Sequence, residues 1–95
     1  MFLVVLRQSG PDFDRSRPLE EQSGWAEHAA FMDGLADDGF IVIGGPLGDG
    51  TKFLHIVDAE SEQAIETRLA DDPWAPMGLL RTAAIEPWEV LLGSL

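Results

Sequence analysis

The sequence predicts an α+β domain with its elements in the order strand, helix, strand, strand, helix, strand, built on an antiparallel sheet. Three observations carry this expectation. The chain has 95 residues, one domain's worth and too few for a second hydrophobic core. Phe2–Leu6 and Phe40–Ile43 are apolar runs without polar alternation, the pattern of strands that are apolar on both faces. Two stretches between and after them carry helical spacing with start and stop residues in place. With 45% hydrophobic and 24% charged residues, the chain lies in the ordinary globular range.

Phe2-Leu3-Val4-Val5-Leu6 is the first strand. Gln8 to Pro18 collects Ser9, Gly10, Pro11, Asp12, Asp14, Ser16 and Pro18, a loop composition. A helix begins near Leu19 or Ser23 and ends at Gly39, a residue suited to a left-handed C-terminal position. On a helical wheel, Trp25, His28, Ala29, Phe31, Met32, Leu35 and Ala36 fall in one sector, with Glu27, Asp33 and Asp37 outside it. Phe40–Ile43 forms a second strand. Gly44-Gly45-Pro46-Leu47 then reads as a bulge or turn, and Gly48-Asp49-Gly50 as a hairpin connection to a third strand at Lys52–Val57. Ser61 can cap a second helix running through Ala64, Ile65 and Leu69, which Pro73 must stop. Leu79 to Pro87 is the last strand, with Trp88 to Leu92 as an apolar tail.

This order is the split βαβ pattern of ferredoxin-like folds. Two helices cover only one face of a four-stranded antiparallel sheet, yet the first two strands are apolar on both. The uncovered face therefore needs a second sheet, and the simplest source is another copy of the chain packed about a two-fold axis. A homodimer through the sheet faces is expected. So short a chain buries only roughly 60 to 65% of its unfolded surface, so association would add stability. No internal repeat or linker divides residues 1–95, which read as a single domain.

Six Lys and Arg against seventeen Asp and Glu give a formal charge of −11, a field that repels phosphate backbones and anionic lipid. No nucleic-acid or membrane partner is expected. Absence of cysteine removes disulfides, thiolate nucleophiles and Cys-based metal sites. Phe2–Leu6 is too short to span a bilayer and has no signal-peptide flanks, so a cytoplasmic location is expected.

His28 is the most informative residue, because an imidazole in an apolar helical stripe must either find a partner or face a cavity. It can be a neutral core histidine bonded to a carbonyl, or a general base. A zinc site would need more ligands than His55, which lies on a strand elsewhere and is taken as an ordinary reference imidazole. No metal is expected. Asp72, in Asp71-Asp72-Pro73-Trp74, is either a solvated turn residue held extended by the proline or a carboxylate that returns to orient His28. Without a serine nucleophile, such a pair suits proton abstraction, elimination or isomerisation. Trp25, Trp74 and Trp88 can line a pocket or simply pack, while Arg7, Arg15, Arg17 and Arg81 are candidates to grip a carboxylate.

Taken together, Trp25-Ala26-Glu27-His28-Ala29-Ala30-Phe31-Met32, Gly39 through Gly45-Pro46-Leu47, the Ser61 to Leu69 helix, Asp72-Pro73-Trp74 and Ile85-Glu86-Pro87-Trp88 resemble the YCII-related (YciI-like) domain family. The resemblance runs through nearly the whole chain. It implies a ferredoxin-like fold assembled as a dimeric α/β barrel, with a His and an Asp forming the active site at His28 and Asp72. A pocket for a small ligand is expected beside this pair, with Trp25, Gly45, Pro46, Pro73 and Trp74 as the substrate-binding positions. The expected activity is that of a small lyase or isomerase acting on a cyclic or aromatic-like substrate, with no cofactor. The competing expectation is a non-catalytic dimeric binding or accessory module. An oxygenase acting on quinols or haem would need a haem or flavin motif, and none is present.

Overall fold

The computed structural model describes all 95 residues. Strands β1 (Phe2–Ser9), β2 (Ile41–Leu47), β3 (Lys52–Asp58) and β4 (Leu80–Pro87) alternate with helices α1 (Trp25–Asp37) and α2 (Glu62–Leu69) in the expected order. The sheet order is β2-β3-β1-β4 with every neighbouring pair antiparallel. This is the α+β, ferredoxin-like arrangement.

Strand β1 runs three residues beyond Leu6, because Arg7, Gln8 and Ser9 keep pairing with β3 or β4. Its burial alternates, with Leu3, Val5, Arg7 and Ser9 buried and Phe2, Val4, Leu6 and Gln8 half-buried. Within one chain the strand is thus covered on one face only. Leu3 and Val5 meet Leu35, Ile65 and Leu69 from the helices, together with Phe40, Ile41 and Val57. Full burial of each such aliphatic side chain contributes about 1.5–3 kcal/mol. A second cluster joins Phe53, Trp74, Leu79 and Leu80.

Helix α1 does not begin at Leu19 or Ser23. Leu19–Glu21 form a separate 3₁₀ turn, and Gly24 at φ 73° turns the chain before Trp25. Helix α2 is capped by the Ser61 hydroxyl, which accepts from the Ala64 amide at 3.1 Å, and ends at Leu69. The Gln8 to Pro18 loop is pinned by buried Gln22, whose amide nitrogen donates to the carbonyls of Asp14 at 2.7 Å and Arg17 at 3.1 Å.

The glycine-proline run Gly44-Gly45-Pro46-Leu47 is not a turn but the second half of β2. The irregularity lies one step earlier, where Ile41 pairs with Val57 and Ile43 with Ile56, so that Val42 is the extra residue of a bulge. Because a bulge reverses the side-chain phase, Gly44 and Pro46 join the helix-covered face opposite His55 and Phe53. The Trp88 to Leu92 tail forms no regular element, and Leu91 and Leu92 are exposed. No helix is long and apolar enough to cross a membrane.

Candidate functional site

Four buried polar side chains gather under the helices: Arg7 from β1, His28 from α1, His55 from β3 and Asp72 from the turn after α2. Asp72 is fully buried, not a solvated turn residue. Its backbone continues from α2, with its amide donating to the Leu69 carbonyl at 3.1 Å. The carboxylate then closes a short turn by accepting the Trp74 amide at Oδ1, 2.9 Å away.

That carboxylate holds His28. The imidazole Nδ1 lies 2.8 Å from Oδ1 and 3.0 Å from Oδ2, while Arg7 donates to Oδ2 at 2.9 Å. Burial works to raise the Asp72 pKa, but the hydrogen bonds from His28, the Trp74 amide and Arg7 outweigh it and hold the carboxyl below its ordinary value. An ionised carboxylate only accepts, so Nδ1 carries a proton, and in the neutral form of the ring Nε2 is the nitrogen with the lone pair. Trp74 stacks on the imidazole with centroids 3.8 Å apart and planes within 4°. Its indole is fixed in turn by an Nε1 hydrogen bond to the Ser23 carbonyl at 2.8 Å. The ring therefore has one orientation.

His28 faces a cavity of about 280 Å³, largely apolar, between α1 and the β2–β3 half of the sheet. Of the residues expected to bind substrate, Trp25, Gly45, Pro46 and Trp74 line it. Pro73 does not, and Asp72 stands behind the imidazole instead of in the cavity wall. Met32, Asp33, Gly44, Phe53 and His55 are also among the lining residues, and none of them was singled out as a site residue from the sequence.

His55 is no ordinary reference imidazole. Burial above all, then the charge of Arg7 and that of His28 whenever its ring is protonated, push its pKa from 6.5 down to about 4, with Asp72 opposing. Its Nδ1 is buried without a partner, pressed against Gly44, where an added Cβ would overlap it.

Of the arginines considered for anion binding, Arg7 does grip a carboxylate, but an internal one. Burial lowers its pKa, and the Asp72 hydrogen bond and charge offset part of that. Arg17 pairs with Asp14 at 3.3 Å on the surface. Arg15 and Arg81 border a separate polar hollow with Gln8 and Lys52. Trp88 lies outside the cavity. No group of three or more His, Asp or Glu side chains is arranged to hold a metal.

Comparison with known proteins places this geometry in context. The family model of the YCII-related domain matches residues 1–89. Among solved structures, 5-chloro-2-hydroxyhydroquinone dehydrochlorinase from Burkholderia phenoliruptrix AC1100, in complex with 2,5-dihydroxybenzoquinone, superimposes with a TM-score of 0.68 at 24% identity, covering 94% of each chain. At that identity the likeness is one of fold. No curated protein matches the chain.

Proposed function

Since the chain belongs to the YCII-related domain family, we propose that it is a small enzyme of lyase or isomerase type in which His28 takes a proton from a small cyclic or aromatic-like substrate and Asp72 orients the base. The observation that carries this reading is the carboxylate at 2.8 and 3.0 Å from Nδ1, which turns the other ring nitrogen of a cavity-lining imidazole to the task of accepting a proton. A positioned imidazole base of this kind contributes about 10²–10⁴-fold to a proton transfer. Arg7 and the Trp74 amide keep Asp72 ionised, and Trp25, Gly45, Pro46, Pro73 and Trp74 bind or frame the substrate, Pro73 by fixing the turn that carries its neighbours.

The structural neighbour is named as a dehydrochlorinase and holds a dihydroxybenzoquinone, which favours elimination of hydrogen halide from a halogenated hydroquinone. In that step, taken from the keto tautomer in which the halogen-bearing carbon is tetrahedral, a proton goes to Nε2, the electron pair of the broken bond moves through the conjugated system to form the new double bond, and halide leaves with the electrons of its own bond. No cofactor is required for it. Incubating the protein with a panel of halogenated hydroquinones should release halide, and the His28→Gln variant should not. Saturable binding without product would contradict the enzyme reading in favour of the binding module.

The working unit in this reading is the single domain of residues 1–95 as a cytoplasmic homodimer. Support for the dimer comes from the open sheet face, where Val4, Leu6 and Leu54 are half-buried and Ile43 is 56% exposed. Packing two such faces would bury all four.

A further inference from the structure

The cavity holds a second imidazole that the dyad does not use. His55 sits in the middle of β3, paired with Gly44 on one side and Val5 on the other, and faces the same cavity as His28. Its buried Nδ1 has no polar partner. One Cα–H of Gly44 points at it, since the position a Cβ would take there overlaps Nδ1. A proton on Nδ1 would meet that hydrogen head-on, whereas a lone pair accepts it as a weak Cα–H contact. The ring proton therefore sits on Nε2, the nitrogen left to meet the cavity.

The two imidazoles are thus set in opposite tautomers. In its neutral form His28 offers a bare Nε2, and His55 an Nε2–H. We propose that His55 is the oxygen-binding partner of the His28 base: its Nε2–H donates to an oxygen of the ligand that is joined, through a π system, to the atom losing its proton. This rests on the reading of His28 as a base and narrows the substrates to conjugated hydroxy or keto compounds. The C–H or O–H bond breaks, its proton goes to His28 Nε2, and its electron pair is delocalised onto the oxygen held by His55. Nothing is oxidised or reduced.

Arg7, His28 and Asp72 are the charged or titratable groups acting on His55, and Asp33 borders the same cavity from α1. Their sum with burial keeps His55 neutral at pH 7. A neutral imidazole is a serviceable hydrogen-bond donor to a developing oxyanion, because it need not surrender its proton.

Long-range ¹H–¹⁵N correlation on protein labelled with [¹⁵N]histidine, at pH 7, tests this without a known substrate. The expected spectrum shows His55 protonated at Nε2 and His28 at Nδ1, assigned by the loss of one set in His55→Gln. A proton on Nδ1 of His55 overturns the inference while leaving the His28 reading intact. A proton on Nε2 of His28 overturns that reading, and the pairing with it. As a probe of the oxygen site, 4-nitrophenolate should shift the His55 Nε2 resonance. Its affinity should fall about tenfold or more in His55→Leu, as expected for a lost hydrogen bond to a charged group, and recover in His55→Gln. An unmoved resonance, or equal affinity in His55→Leu, contradicts the proposal.

Discussion

The Trp74 indole lies face to face with the His28 imidazole at 3.8 Å, and the backbone amide of the same Trp74 donates to Asp72, the carboxylate that grips His28. One turn, Asp72-Pro73-Trp74, therefore supplies both the partner of Nδ1 and the wall against the ring. The imidazole is positioned by a rigid segment that owes its shape to its own hydrogen bonds, which is what a base needs if its lone pair is to keep one direction.

Asp72 and Arg7 should prove strongly coupled in stability. Both are buried, with 1% exposure or less, at 2.9 Å, so removing the anion strands a guanidinium in the interior. Asp72→Asn is expected to cost about 3–5 kcal/mol, read by urea unfolding. Adding Arg7→Met should recover much of that loss. Additive losses in the double variant would show that the two are not a pair.

Gly44→Ala should destabilise the domain by about 1–3 kcal/mol. The added methyl would overlap His55 Nδ1 and lie 3.1 Å from the Leu54 carbonyl. Gly34 on α1 is the contrast, since a Cβ there meets nothing within 4 Å. Gly34→Ala should stabilise the protein by about 0.5–1 kcal/mol through helix propensity. Thermal melting of the two variants distinguishes a packed glycine from a spare one.

Stability should fall as pH drops from about 6.5 to about 4, the interval between the ordinary and the folded pKa of His55. Over that interval the unfolded chain binds a proton that the folded imidazole refuses, so unfolding gains by up to about 3 kcal/mol. Asp72 acts in the same direction but lower, its stabilisation being lost only as pH falls through a pKa held below the ordinary range. His55→Leu should flatten the upper part of the profile. An unchanged slope in that variant would show that His55 is not the group responsible.

Leu54→Glu should disrupt self-association. Leu54 lies on the open face of the sheet beside Gly45, and a buried carboxylate without a partner is not tolerated between packed sheets. Sedimentation equilibrium should show a dimer for the wild type and a monomer for the variant. A wild-type monomer would remove the sheet-face dimer from the account.

The sequence made His28 and Asp72 visible for different reasons. His28 stood out because the helical period put an imidazole among Trp25, Met32 and Leu35, and Asp72 because the following proline marked a turn. Contact between them depended on helix packing, which periodicity does not set. Arg7 stood among four candidate arginines, and its inward direction was obscured because it follows an unbroken apolar run, although strict alternation from Leu3 and Val5 places it on their face. The same period-two count puts His55 between Phe53 and Val57, a signal that was available. Gly44 was not legible, since the bulge at Val42 shifts the phase of β2 and exchanges the roles of Gly44 and Gly45. Such a shift is decided by pairing with β3, not by the residues of β2 alone.

Whether His28 Nε2 accepts the substrate proton is read from His28→Gln, which keeps a polar side chain for Asp72 and leaves the Arg7 pair in place. The rate of halide release by this variant should fall about 10²–10⁴-fold, with its circular dichroism and oligomeric state unchanged. A folded His28→Gln protein that turns over at the wild-type rate would contradict the account.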